Sequence, residues 1–150
     1  MTPTRPVLLA GVVAVMAVIT WLIVRSSYDA LPLLPWTAAP TLALLAIGEG
    51  YTGLHIRARV RRRPGTKPVE PLVVARLAAL AKASSHASAG IAGVFAGFVL
   101  HLSTMLDKPD PERDFLVSLG TFAAAIALIA GALFLEHACR VPTDRDSSGG

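Results

Sequence analysis

The sequence holds a single cysteine, Cys139, in 150 residues, so no disulfide can close within the chain. That excludes a small cross-linked secreted scaffold and fits a reducing-side location for the thiol. Charge is scarce too. Asp, Glu, Lys and Arg make up 16% of the residues, against about a quarter in soluble domains. Catalytic signatures are few: the chain has no phosphate-binding Gly-x-x-x-x-Gly-Lys loop, no His-Glu-x-x-His and no Cys-x-x-Cys. No serine, histidine and acid meet in a nucleophile motif. The four histidines lie far apart, and His137 and Cys139, two residues apart, are no metal signature without further ligands. No cofactor and no metal are expected, and the reading is non-enzymatic.

What is present is apolar. Hydrophobic residues make up 53% of the chain and its mean hydropathy is +0.58, which places it in the membrane class. The net charge of +4 could suggest nucleic acid, but the basic residues cluster beside apolar runs. That placement is the usual signature of membrane topology, and no nucleic-acid partner is expected.

Four runs are long enough to cross a bilayer, at about 7–24, 33–56, 73–105 and 115–138. The first is free of charge from Val7 to Val24 and flanked by Arg5 and Arg25; at ~1.5 Å per residue it covers about 27 Å. A signal peptide is the rival reading, but the run is long for one and "RSSYDALP" offers no clear cleavage site. Trp36 and nearby prolines mark the start of the second run, as suits a membrane interface and a first helical turn. The third has no Asp, Glu, Lys or Arg from Ala83 to Leu106.

Lysines and arginines then set an orientation. Arg5, Arg57, Arg59, Arg61, Arg62, Arg63, Lys67, Arg76, Lys82, Arg140 and Arg145 fall on one side of the four runs; Arg25, Lys108 and Arg113 fall on the other. The positive-inside rule puts both termini and the basic loop in the cytoplasm, with "DKPDPERD" outside as an acidic loop through Asp107, Asp110, Glu112 and Asp114. The loop set Arg57, Arg59, Arg61, Arg62, Arg63 and Lys67 reads first as a topology determinant and second as an anionic-lipid contact. Residues 142–150, short and polar, read as a disordered cytoplasmic tail.

On a helical wheel, Arg76, Ala79, Lys82, Ala83, His86, Gly90, Gly93, Gly97, His101 and Thr104 share one small, polar face of the third run. Small residues let helix backbones approach in lipid, so Gly90, Gly93 and Gly97 read as a packing groove. Gly120, Ala124, Ala127 and Gly131 repeat the device in the fourth run, and Ala10, Ala14 and Ala17 in the first. The expected fold is all-α: an integral-membrane four-helix bundle in one domain over residues 1–141.

Glu49, in "AIGEGYTG", is the costliest residue, roughly 20 Å in from the outer interface. A carboxylate there is expected to pair, protonate or face water. Lys82 is the expected ion-pair partner, with Arg76 second; the rival reading of both cations is snorkelling to the interface. A relay through Glu49, Lys82 and His86 is the minority reading.

The strings "LPWTA", "AIGEGYTGLHIRARVRRR", "PLVVARLAALAKAS" and "LEHACRVP" together resemble the actinobacterial membrane proteins grouped as domain of unknown function 3180. The most specific part is Pro71, Leu72, Ala75, Arg76, Ala81, Lys82, Ala83 and Ser84. The resemblance covers nearly the whole chain. It implies a small multi-span protein of an actinobacterial plasma membrane, often encoded near folate-biosynthesis genes, and carries no catalytic or binding residues. The expected function is a non-enzymatic accessory, scaffold or assembly protein of the plasma membrane. Its expected contacts are the lipid bilayer and a membrane-protein partner or a second copy. The alternative is a small transporter or channel subunit using Glu49 and Lys82.

Overall fold

Every helix carries a proline in its first turn and none in its interior. Pro6 opens α1 (Pro6–Ser27), Pro40 is third in α2 (Ala38–Val60), Pro71 opens α3 (Pro71–Leu102), and Pro109 and Pro111 open α4 (Pro109–Ala138). First-turn amides have no intrahelical partner, so proline starts a helix without losing a hydrogen bond. The computed structural model describes residues 5–27, 34–60, 71–105 and 109–139, and among these there is no strand. The tail at 142–150 and Arg61, Arg62, Arg63 and Lys67 lie outside the described residues, as do Arg140 and Arg145.

The helix bounds differ from the sequence expectation in α2, α3 and α4; α2 covers Ala38–Val60 where 33–56 was expected. α3 stops at Leu102, where the Thr104 and Met105 amides switch to the carbonyls three residues back, His101 and Leu102 (3.2 and 2.9 Å), and the Ser103 and Thr104 hydroxyls bond the carbonyls of Leu100 and His101 (2.9 and 2.7 Å). α4 starts at Pro109, six residues before the expected 115, so most of "DKPDPERD" is helix. Acidic Glu112 and Asp114 in its first two turns suit the positive end of the helix dipole.

The four helices form one row in the order α1, α3, α4, α2. α3 and α4 each pack against two neighbours, whereas α1 and α2 stand at the two flanks. Gly93 lies against Val13 and Met16, and Gly97 against Ala17 and Thr20, so α1 and α3 are parallel. Ala92 joins Ala125 and Leu128 in one buried cluster while Ala81 joins Leu135 and Cys139 in another, so α3 and α4 are antiparallel. Gly120 faces Ala39, Gly131 faces Ala46 and Gly53 faces Phe134, so α2 and α4 are parallel. This is the up-down-up-down course of a four-helix bundle, opened into a row.

α1, α3 and α4 are each long and apolar enough to cross a membrane. α2 is not among them, since its 23 residues include Glu49, three glycines, Arg57 and Arg59. It nevertheless runs beside α4 from the Gly120 level to the Phe134 level. The start of α1, the end of α2, the start of α3 and the end of α4 therefore share one end of the row, which carries Arg5, Arg57, Arg59 and Arg76.

Candidate functional site

The seams between helices are built from residues with little or no side chain. A Cβ on Gly97 would lie 2.7 Å from the Ala17 carbonyl oxygen and 2.9 Å from the Trp21 nitrogen. A Cβ on Gly93 would lie 2.7 Å from the Val13 oxygen. Both glycines let α1 and α3 touch backbone to backbone. Gly131 does the same for α4 and α2, with the Ala46 oxygen 3.1 Å from the position a Cβ would take. Gly90 faces open space. Gly120 is exposed and makes only an ordinary contact with Ala39, while Ala124 is half-buried against the Leu42–Leu128 cluster. Gly53, absent from the expected packing face, is buried against Phe134 and Leu135.

The buried face of α3 is also turned from the expected one. Ala79, Lys82, Ala83 and His86 are exposed, whereas Ala81, Ser85, Ser88, Ala89 and Ala92 are buried. An interior helix needs two contact faces; Gly93 and Gly97 serve α1, and the Ala81–Ala92 stripe serves α4. Several hydroxyls on these helices bond back to their own helices, whereas the buried Ser118 Oγ has no partner among the described residues. Ser85 donates to the Lys82 carbonyl (2.9 Å), Ser88 to Ser84 (2.6 Å), Thr121 to Val117 (2.8 Å) and Thr52 to Gly48 (2.8 Å). Such bonds satisfy a hydroxyl inside an apolar seam and leave neighbouring helices free to close on it.

Leu42, Ala46, Glu49, Gly53 and Ile56 recur at spacings of four and three, which is one stripe of a helix. Leu42 and Ile56 are buried, and Ala46 and Gly53 meet α4, so Glu49 lies in the α2–α4 seam. Its Oε2 is buried and has no hydrogen-bond partner among the described residues. Register carried along the row sets Glu49 level with Ser85–Ser88 of α3 and with the first turns of α1. Lys82 belongs one turn nearer the basic end, level with Glu136, and α4 stands between its helix and that of Glu49. Lys82 and Glu136 each have polar or charged partners, but Glu49 has no ion pair among the described residues. Arg76 is exposed and lies nearer still to the basic end. The expected Glu49–Lys82 contact is thus not made in this arrangement, because matched depth along two helices does not make them neighbours.

The string Gly48-Glu49-Gly50-Tyr51-Thr52-Gly53 spells the Gly-x-Gly-x-x-Gly fingerprint of dinucleotide-binding loops, a motif expected to be absent from the sequence and present in it after all. In such loops a strand precedes the glycines and free amides meet the phosphates. Here all six residues are in the middle of α2, where their amides serve the helix.

At the other end of the row, Asp114 was expected in an exposed acidic loop. It is 2% exposed, and its Oδ1 accepts the backbone N–H of Leu34 at 3.3 Å. That bond ties the approach to α2 to the start of α4. Arg113, itself half exposed, reaches the same oxygen at 3.5 Å. Arg25 lies 5.4 Å from the Trp21 ring, a cation–π contact at the end of α1. Cys139, just past α4, is buried against Ile56, Ala81 and Leu135, and burial pushes its thiol above the ordinary range.

Among the described residues this is an all-helical row with glycine seams, apolar flanks and one end rich in arginine, and three of its helices are long and apolar enough to cross a membrane, which is compatible with a membrane protein. Residues 9–143 match the family model described as Protein of unknown function (DUF3180), and the chain belongs to that family. No curated protein and no solved structure gives a match.

Proposed function

We propose that the chain is a non-enzymatic accessory or assembly protein of the bacterial plasma membrane, crossing it four times with both termini and the basic loop in the cytoplasm. One observation carries this reading: the row has two open flanks. α1 presents Val7, Leu8, Val15, Val18, Leu22 and Ile23 outward, and α2 presents Leu44, Leu45, Ile47 and Leu54. In a bilayer such faces meet acyl chains, a second copy or the helices of a larger partner. The shared basic end supports the orientation, and the course of α2 beside α4 supports the fourth crossing. Extraction in mild detergent at native expression tests the role. A stoichiometric membrane-protein partner is expected, and it should be lost when a bulky residue replaces outward Val18 or Leu44. A chain that purifies alone at every detergent strength would sink the proposal.

Glu49 favours a second reading, a small transporter or channel subunit. A buried carboxylate oxygen without a partner among the described residues, on an intramembrane helix face, is a group an ion or solute path would use. Under that reading Glu49→Gln abolishes flux in vesicles while insertion and co-purification stay normal.

A further inference from the structure

α1 and α4 both lie against α3, and a groove runs between them. Leu9, Ala10 and Val13 line one wall and Ile126, Ile129 and Leu133 the other, around a cavity of about 370 Å³. The wall from Pro6 to Ala14 rises about 12 Å. A narrow groove of that length, lined by apolar side chains from both walls, suits an acyl chain laid along it.

The mouth of the groove carries a guanidinium on one wall and an imidazole on the other. Pro6 lies at one end of the lining and the exposed Arg5 directly precedes it. On the opposite wall, His137 is four residues beyond Leu133, hence on the same face one turn on, and it too is exposed. This mouth is at the level where the uncharged run of α1 begins, which is where lipid phosphates lie. A thin apolar slot opening between a guanidinium and an imidazole matches one ligand chemistry: an acyl chain carrying an anionic head.

We propose that the α1–α4 groove holds one acyl chain of an anionic phospholipid, with its phosphate against Arg5 and His137. The inference depends on the chain lying in a bilayer and does not depend on its being an accessory protein. Delipidated protein is reconstituted into vesicles of equal phosphatidylglycerol and phosphatidylcholine, re-extracted in mild detergent, and the retained lipid counted by native mass spectrometry. One phosphatidylglycerol per chain is expected. Ala10→Phe and Ile126→Trp fill the groove from either wall, and each should lower its retention about tenfold. Gly11→Leu, which points into open space, should leave it unchanged. Arg5→Gln with His137→Gln should keep a lipid but erase the preference for phosphatidylglycerol. Equal retention by the wild type and both filled variants overturns the proposal. So does a photo-crosslinker at position 10 that captures a protein instead of lipid. A chain that stays out of the vesicle fraction overturns the proposal together with the membrane reading.

Discussion

Gly97 meets the backbone of Ala17 so closely that an added methyl group would lie 2.7 Å from the Ala17 carbonyl oxygen. The same methyl would lie 2.7 Å from Thr20 Cβ and 2.9 Å from the Trp21 nitrogen, so backbone would have to move. Gly97→Ala should therefore push α1 from α3 and cost about 1–3 kcal/mol, the range for overpacking a filled contact. Gly90→Ala, on the same helix but facing open space, should leave stability unchanged or raise it by up to about 1 kcal/mol through helix propensity. Thermal stability of both variants in detergent checks the pair. Equal losses would mean that the α1–α3 seam does not run through Gly97.

Asp114 gives a test at the opposite end of the row. Among the described residues, Leu34 and Arg113 both meet its Oδ1, and the two contacts are unequal. Arg113 is 46% exposed along its side chain and 3.5 Å away, so its ion pair contributes little. The Leu34 amide has a buried acceptor, and orphaning such a donor costs about 1–3 kcal/mol. Asp114→Ala should lose that amount, while Asp114→Asn, whose amide oxygen can still accept from Leu34, should lose clearly less. Arg113→Ala should fall within about 0.5 kcal/mol of wild type. If Arg113→Ala and Asp114→Ala lose the same stability, the ion pair and not the Leu34 bond holds this end.

The four helices were legible because uncharged runs of bilayer length and proline starts are local signals, carried by residues such as Val7–Val24 and Pro71. The order of the row was not, because it depends on which pairs of faces fit. A wheel of α3 groups Gly93 and Gly97 correctly, yet it groups Gly90 and Lys82 with them, since a wheel assumes one buried face and α3 has two. Gly53 was missed because its string also holds Glu49, which drew attention to charge instead of contact. Asp114 was assigned to solvent because acids after a lysine and a proline usually mark a loop; the tie to Leu34, 80 residues away, has no local signature.

Cys139 offers a chemical probe of the α2–α3–α4 end. Its thiol is buried against Ile56, Ala81 and Leu135, and burial raises its pKa by disfavouring the thiolate. Alkylation needs the thiolate, so the folded protein should react with a maleimide far more slowly at pH 7 than the denatured chain does. The rate should climb as pH rises, and more steeply once Ile56→Ala opens the cluster. Folded and denatured protein reacting at the same rate would show that the cluster is open in solution.

Glu49 separates stability from function. Its Oε2 is buried in the α2–α4 seam without a partner among the described residues, and an uncompensated buried acid is costly. Glu49→Met, close in volume and apolar, should raise thermal stability in detergent by about 1 kcal/mol or more. If Glu49 were held by Lys82, the same substitution would strand a cation and destabilise. The exchange Glu49→Lys with Lys82→Glu would then recover what either single change loses. The row predicts no such recovery, since α4 separates the two helices and Lys82 lies about one turn nearer the basic end. An ionisable side chain buried in a membrane-spanning helix is by default a functional-site hypothesis. The stabilised Glu49→Met protein should therefore be the one that fails in the cell, as measured by complementation of a deletion strain. Full complementation by Glu49→Met would remove Glu49 from any functional role and leave the lipid-facing surfaces as the place to look.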